Sequence, residues 1–328
     1  MRAVIRTEYG LPQTVVRVED VAKPTPAANQ VLIKVVAASI NGSDREGVIG
    51  KPAYARMGGF RRPRYHILGS DFAGRVEVTG QEVRNLRPGD EVLGEMPGYR
   101  GGFADYVCVP ETSVVRKPAA LTFAEAAAIP QAGAIAVQGI RLKGKVQPGQ
   151  KVLINGAGGA AGGFAVQLAK VHGAEVTAVD RGEKFDFLRR MGADHLIDYT
   201  KEDFADRRNE YDLILDVIGQ RSVIACARPL RRGGTYYVAG GAIRVVVGAM
   251  FYGPIISAVN RKRVRVLIVP QYKLLDAATK LCAERTIVVP IDRRYPIDEA
   301  AEALRYVSEG QQLGKVVIMF EPDTTGYL

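Results

Sequence analysis

The sequence predicts an α/β protein: a doubly wound parallel sheet joined to a second, β-rich lobe. Three observations carry that reading. Residues 152–180, VLINGAGGAAGGFAVQLAKVHGAEVTAVD, run from an apolar strand through a glycine-rich turn and a helical segment to a second apolar strand ending in an acid. Downstream, apolar runs alternate with helical stretches, the pattern of a parallel sheet with crossover helices. Upstream, short strands separated by turn signals dominate.

Taken from the N-terminus, Val31–Val36, Asp71–Val78 and Ala104–Val109 read as short strands, with turns at 87–90 (RPGD) and 100–102 (RGG). Their spacing suggests a strongly bent sheet or partial barrel. Near Leu121 the texture changes, and Thr122-Phe-Ala-Glu125 is a capping-box pattern that opens an alanine-rich helix. Strands are then expected at 151–155, 175–179, 196–198, 212–217, 234–239 and 264–269. The last stretch reads as a helix (Leu274–Ala283), a strand (Thr286–Val289), a helix opened by Asp298 (Glu299–Ser308) and a strand (Lys315–Phe320) that return to the first lobe. The expected domains are 1–121 with 271–328, and 122–270.

The glycine-rich turn suits a dinucleotide. Gly156 follows the strand, Ala157 stands where the first glycine of G-x-G-x-x-G is usual, Gly159 lets backbone approach a pyrophosphate, and Gly162 lets the helix pack close to the sheet. Ala160 and Ala161 open the helix, whose free N–H groups face the phosphates. Asp180 stands where an acid accepts hydrogen bonds from the adenosine ribose, and with Glu183 it repels an added phosphate. Arg181 and Lys184 pull the other way. Position outweighs charge count, so NADH is favoured over NADPH.

Composition excludes several classes. Apolar residues make up 47% and charged residues 24% of the 328, an ordinary globular balance. Cys108, Cys226 and Cys282 lie far apart, which excludes a disulfide framework and a cysteine-based zinc site. No apolar run is read as long enough to span a membrane and the N-terminus lacks a signal-peptide core, so a cytoplasmic protein is expected. The net charge of +10, clustered at 56–64 and 261–265, is read as attraction for an anionic cofactor or substrate, since no nucleic-acid motif accompanies it.

Several segments together resemble the medium-chain dehydrogenase/reductase superfamily, closest to its zinc-free quinone oxidoreductases and their reticulon-interacting-protein-like group. They are 39–44 (SINGSD), 68–74 (LGSDFAG), 87–90, 102–107 (GFADYV), 145–154 (KVQPGQKVLI), 192–199 (GADHLIDY) and 314–318 (GKVVI). The resemblance implies a GroES-like catalytic domain beside a Rossmann domain. Zinc-dependent members carry Cys near the position of Asn41 and His near Ser70, so the resemblance implies no zinc here. It implies that Asn41 and Asp44 line the substrate cleft, followed by Gln131. Tyr199, Val217, Ile218, Gly240, Gly241 and Lys315 are implied cofactor contacts, with Lys315 closing over the cofactor, and Asn41 touches it as well.

Departures from the family matter for chemistry. Ile135 replaces a common threonine, and Arg45-Glu46 stands where a tyrosine is frequent. Tyr54, in the basic loop Gly50–Tyr65, is the candidate replacement acid, and that loop is the expected specificity element. The implied activity is hydride transfer from NAD(P)H to a quinone or α,β-unsaturated carbonyl. Reduction of simple aldehydes or ketones, and a non-catalytic nucleotide-binding sensor, stay open. Val264–Val269 is expected as an apolar edge strand that pairs with a second copy in a homodimer.

Overall fold

A computed structural model of the chain describes residues 1–57 and 59–321. Two compact units emerge: Met1–Gln131 with the stretch from Pro270 onward, and Ala132–Val269. The first boundary lies later than 121 because the helix Phe123–Ala127 belongs to the first unit. Thr122 and Glu125 form the expected capping box, and Ser39 Oγ donates to Ala127 O at 2.8 Å.

The first unit is organised by a seven-stranded sheet. Its main path runs Ile291–Pro296, Lys315–Met319, Gln30–Ile40, Asp71–Thr79, Glu91–Glu95 and Val114–Arg116, and Tyr106–Pro110 pairs with Gln30–Lys34. Only the pair Ile291–Pro296 and Lys315–Met319 is parallel. The strand expected at Thr286–Val289 therefore forms after Pro290 instead, at Ile291–Pro296, which aligns Ile291 with Lys315. The core is aliphatic and aromatic, with Val35, Ile40, Phe72, Val92, Phe103 and Ile318 all buried.

The second unit is a six-stranded parallel sheet in the order His195–Asp198, Glu175–Asp180, Lys151–Asn155, Tyr211–Asp216, Leu230–Val238, Arg263–Val266. This is the doubly wound arrangement, with its switch point at Lys151–Asn155. The edge strand covers only Arg263–Val266 of the expected 264–269, and Arg263 and Arg265 on it are exposed.

Contrary to the expectation from sequence, one apolar run does reach membrane-spanning length. The helix Ile243–Asn260 is long and apolar enough, by length and composition, to cross a membrane. Its sequence conceals it: the helix is apolar nearly all round and so has no helical period in its hydrophobicity, and glycines and Pro254 interrupt it. One face, with Val245, Gly248, Ala249, Gly253 and Ile256, is buried. Gly253 is needed there, since a Cβ would sit 2.5 Å from Val264 O.

Candidate active site

Strand register assembles a buried polar cluster in the first unit. Ser39 is opposite Asp71, Asp71 is opposite Glu95, and Ile40 is opposite Val316. Asn41, Ser70, Asp71, Glu95 and Lys315 therefore meet where these strands begin or end, although they come from four separate parts of the chain. All five are buried, and Lys315, Asp71 and Ser70 are wholly so.

Hydrogen bonds fix the cluster. Lys315 Nζ donates to Asn41 Oδ1 at 2.7 Å and lies 3.7 Å from Asp71 Oδ2. Asn41 Nδ2 donates to Ser70 Oγ at 2.9 Å, and Ser70 Oγ donates to Asp44 Oδ2 at 3.3 Å. Asp44 also accepts from the Asn41 backbone N–H at 2.7 Å, capping the helix Gly42–Ile49. Gln131 joins through its backbone N–H to Asp71 (3.0 Å) and through Oε1, which accepts from Ser43 Oγ at 3.1 Å.

Burial sets the protonation. Desolvation pushes Asp44 up to about 8, against the Asn41 N–H that favours its charged form. Glu95 is also pushed up to about 8, by desolvation first and then by the nearby Asp71. Asp71 is raised by desolvation and opposed by Lys315, while desolvation lowers Lys315 and Asp71 opposes that. Buried Oδ1 atoms of Asp44 and Asp71 have no hydrogen-bond partner, as protonated or substrate-facing oxygens would.

In the second unit, the turn after Lys151–Asn155 has the shape a dinucleotide needs. Gly156 adopts φ +84°, and a Cβ there would strike Ile218 and Val217, which follow the neighbouring strand. At Gly162 a Cβ would lie 2.3 Å from Gly156 O, so the helix Ala160–Val171 rests directly on the turn. Gly159 caps that helix without a side-chain bond, leaving its first N–H groups open to an anion. Asp216, at the end of its strand, holds the next turn by accepting from Ile218 N and Gly219 N at 2.9 Å each.

Asp180 is already engaged. Oδ2 accepts from Gly158 N at 2.8 Å, Oδ1 accepts from Arg181 N at 2.9 Å, and the buried Lys184 Nζ lies 3.6 Å away. Beside it, Arg181 Nε donates to the hydroxyl of the exposed Tyr199 at 2.9 Å.

Comparison with known proteins places this geometry. A family described as alcohol dehydrogenase GroES-like domain matches residues 27–119, and one described as zinc-binding dehydrogenase matches 191–318. A 2-methylene-furan-3-one reductase of Solanum lycopersicum is 32% identical over 97% of this chain and 79% of its own length. An NADPH-dependent alkenal/one oxidoreductase of Arabidopsis thaliana is 31% identical over the same shares, 97% and 79%. The solved quinone oxidoreductase from Coxiella burnetii matches with a TM-score of 0.86 at 28% identity, covering 98% of this chain and 99% of that one. The chain belongs to the quinone-oxidoreductase branch of the medium-chain dehydrogenase/reductase superfamily.

Membership in that superfamily raises zinc, and the residues do not fit it. At the two positions where zinc-dependent members carry Cys and His, Asn41 and Ser70 bond each other, and the Lys315 ammonium sits against Asn41. An ammonium beside an amide and a hydroxyl is not a zinc donor set. Among the described residues no group of three or more His, Cys, Asp or Glu side chains is arranged to hold a metal ion. The cradle in the second unit does fit a nicotinamide dinucleotide.

Within this branch member the structure brings Asn41, Asp44, Gln131 and Lys315 together, and separately Gly156, Ala157, Gly159, Ala160, Ala161, Gly162, Asp180, Arg181, Lys184, Tyr199, Val217 and Ile218. Gly240 and Gly241 both take positive φ, and Gly241 abuts Gly219. Lys315 is not an open lid: its side chain is wholly buried. Tyr54 donates its hydroxyl to Glu46, two residues beyond Asp44 on the helix Gly42–Ile49, at 3.1 Å. In the loop around it, Arg56 stacks on Tyr9, Arg100 stacks on Tyr65, and Phe60 is exposed. Asp71 and Glu95 were not singled out in the sequence. The signal for them was a carboxylate at the end of an otherwise apolar strand.

Proposed function

We propose that this chain is a zinc-independent, NADPH-dependent reductase that adds hydride to the electron-poor double bond of an enone or to a quinone. The observation that carries the reading is the Lys315–Asn41–Ser70 arrangement, whose donors cannot make the Lewis-acid centre that polarises an unactivated carbonyl or alcohol. The acceptor must then be electron-poor beforehand, which agrees with the enone- and quinone-reducing relatives. The cofactor supplies hydride when bound.

The chain's own groups do the rest. The glycine-rich turn and the first N–H groups of Ala160–Val171 bind and orient the pyrophosphate. Asn41, oriented by Lys315 and Ser70, keeps a fixed amide for an acceptor oxygen. Each reduction also consumes a proton, and Asp44 and Glu95 are carboxyls held protonated up to about pH 8.

NADPH is preferred here over the NADH favoured by sequence. An acid that already accepts from Gly158 and Arg181 and pairs with Lys184 has little left for a ribose, and its charge is balanced. Arg181 and Tyr199 beside it suit a 2′-phosphate. This also matches the named cofactor of the Arabidopsis relative. The test is turnover of NADPH and NADH with 1,4-benzoquinone and a simple enone, on protein whose zinc content is measured. Zinc-free oxidation with NADPH faster is expected. Cofactor binding without turnover on any acceptor would turn the reading toward a nucleotide sensor.

A further inference from the structure

The helix Ile243–Asn260 lies with one face on the parallel sheet and its other face bare. Ile243 (49% exposed), Met250 (66%), Phe251 (72%), Ile255 (60%) and Val259 (73%) form one continuous apolar strip along it. Arg244 is the only charged residue in the helix. An apolar surface of this extent is a docking surface rather than ordinary exposed surface.

The charge around it names the occupant. Between Val217 and Leu275 the sequence carries ten lysines and arginines and no aspartate or glutamate, so this stretch holds the whole net charge of +10. Arg261, Lys262 and Arg263 follow the helix directly, and Lys262 Nζ donates to Ala227 O and Arg228 O at 3.1 Å, gathering a basic rim at the helix end. Arg265 is exposed on the adjoining edge strand. Arg221 and Arg231 are neutralised by Asp203 and Asp212, but Arg244, Arg261, Lys262, Arg263 and Arg265 make no ion pair among the described residues.

We infer that this face docks the protein on an anionic lipid bilayer, the helix lying flat with its apolar strip among the acyl chains and the basic rim on the headgroups. Apolar burial and attraction for anionic lipid together are what hold an interfacial helix in place. The helix does not span the bilayer, because Val245, Ala249 and Ile256 are committed to the protein core. A second copy fits the face less well. Self-association there would bring two unneutralised basic rims together, and exposed Arg263 and Arg265 guard the strand edge against pairing.

The sequence contains no tryptophan, so Phe251→Trp in the full chain gives a single emission signal from the strip. Vesicles of phosphatidylcholine alone, and of three parts phosphatidylcholine to one part phosphatidylglycerol, are the probes. Co-sedimentation and a blue shift with the mixed vesicles only are expected. Met250→Glu with Phe251→Glu abolishes that binding while thermal unfolding and NADPH binding stay as in the parent. Arg263→Gln with Arg265→Gln weakens it about fivefold per charge, from roughly 1 kcal/mol each. Emission indifferent to both vesicles overturns the inference. So does vesicle binding that survives the double glutamate variant, or a solution dimer that the same variant splits, which would assign the face to a second copy.

Discussion

Lys315 Nζ and Asn41 Oδ1 lie 2.7 Å apart in the interior of the first unit, joining residues 274 positions apart in sequence. Among the described residues, the same ammonium is the only charge partner of wholly buried Asp71. Lys315→Met leaves that carboxyl without its counter-charge and the Asn41 oxygen without its ammonium donor, and removing one partner of a buried pair costs about 3–5 kcal/mol. Chemical denaturation checks the loss. Lys315→Met combined with Asp71→Asn recovers part of it, whereas independent effects would simply add.

Stability falls as pH rises from the ordinary carboxylate range to about 8. Asp44 and Glu95 each have a folded-state pKa raised to about 8, so across that window the folded chain holds more protons than the unfolded one. Their contribution is complete below pH 4, is lost progressively toward pH 8 and then levels off. Asp44→Asn and Glu95→Gln flatten the curve of Tm against pH. Each 1 kcal/mol of dependence removed corresponds to about 2–4 °C.

Arg181→Ala separates the two cofactors. Loss of a charge-assisted hydrogen bond to a 2′-phosphate is worth about 1.5–3 kcal/mol, so NADPH binding weakens roughly tenfold to a hundredfold while NADH binding is unchanged. Calorimetric titration with both cofactors measures it. Equal losses for the two would place Arg181 away from the phosphate.

Asp180→Ala behaves differently, because Asp180 anchors Gly158 and pairs with buried Lys184. Both cofactors bind more weakly and the Tm drops. A gain in NADPH affinity instead would mean that this carboxylate acts mainly by repelling phosphate.

Exhaustive chelation leaves turnover with an enone unchanged, as expected for an ammonium-filled cluster. Activity that falls on chelation and returns with zinc would contradict the proposed mechanism.

The parallel sheet and its turn were legible in the sequence because they are local: Gly156, Gly159 and Gly162 sit within one strand–turn–helix, and strand period and helix period alternate around them. The capping box at Thr122 was legible for the same reason. The buried cluster was not. Asn41, Asp44, Gln131 and Lys315 were each implied by the resemblance, but Asp71 and Glu95 were not, and it is strand register, which no short window contains, that brings them together. Asp180 was recognised as an acid at a strand end, yet its prior commitment to Gly158 and Lys184 is a three-dimensional fact. Pro290 displaced a strand by a few residues, and the apolar helix Ile243–Asn260 carried no periodic signal at all.

The strand Lys315–Met319 lies between Gln30–Ile40 and Ile291–Pro296, so the first sheet is completed by the last of its own strands to be synthesised. The parallel sheet, contiguous from Ala132 to Val269, has everything it needs well before then. During synthesis the middle of the protein can mature while the opening strands wait with an unfilled slot and an unneutralised Asp71. A polypeptide halted before Gly314 is thus half finished in a particular way, with exposed strand edges for chaperones or proteases to find.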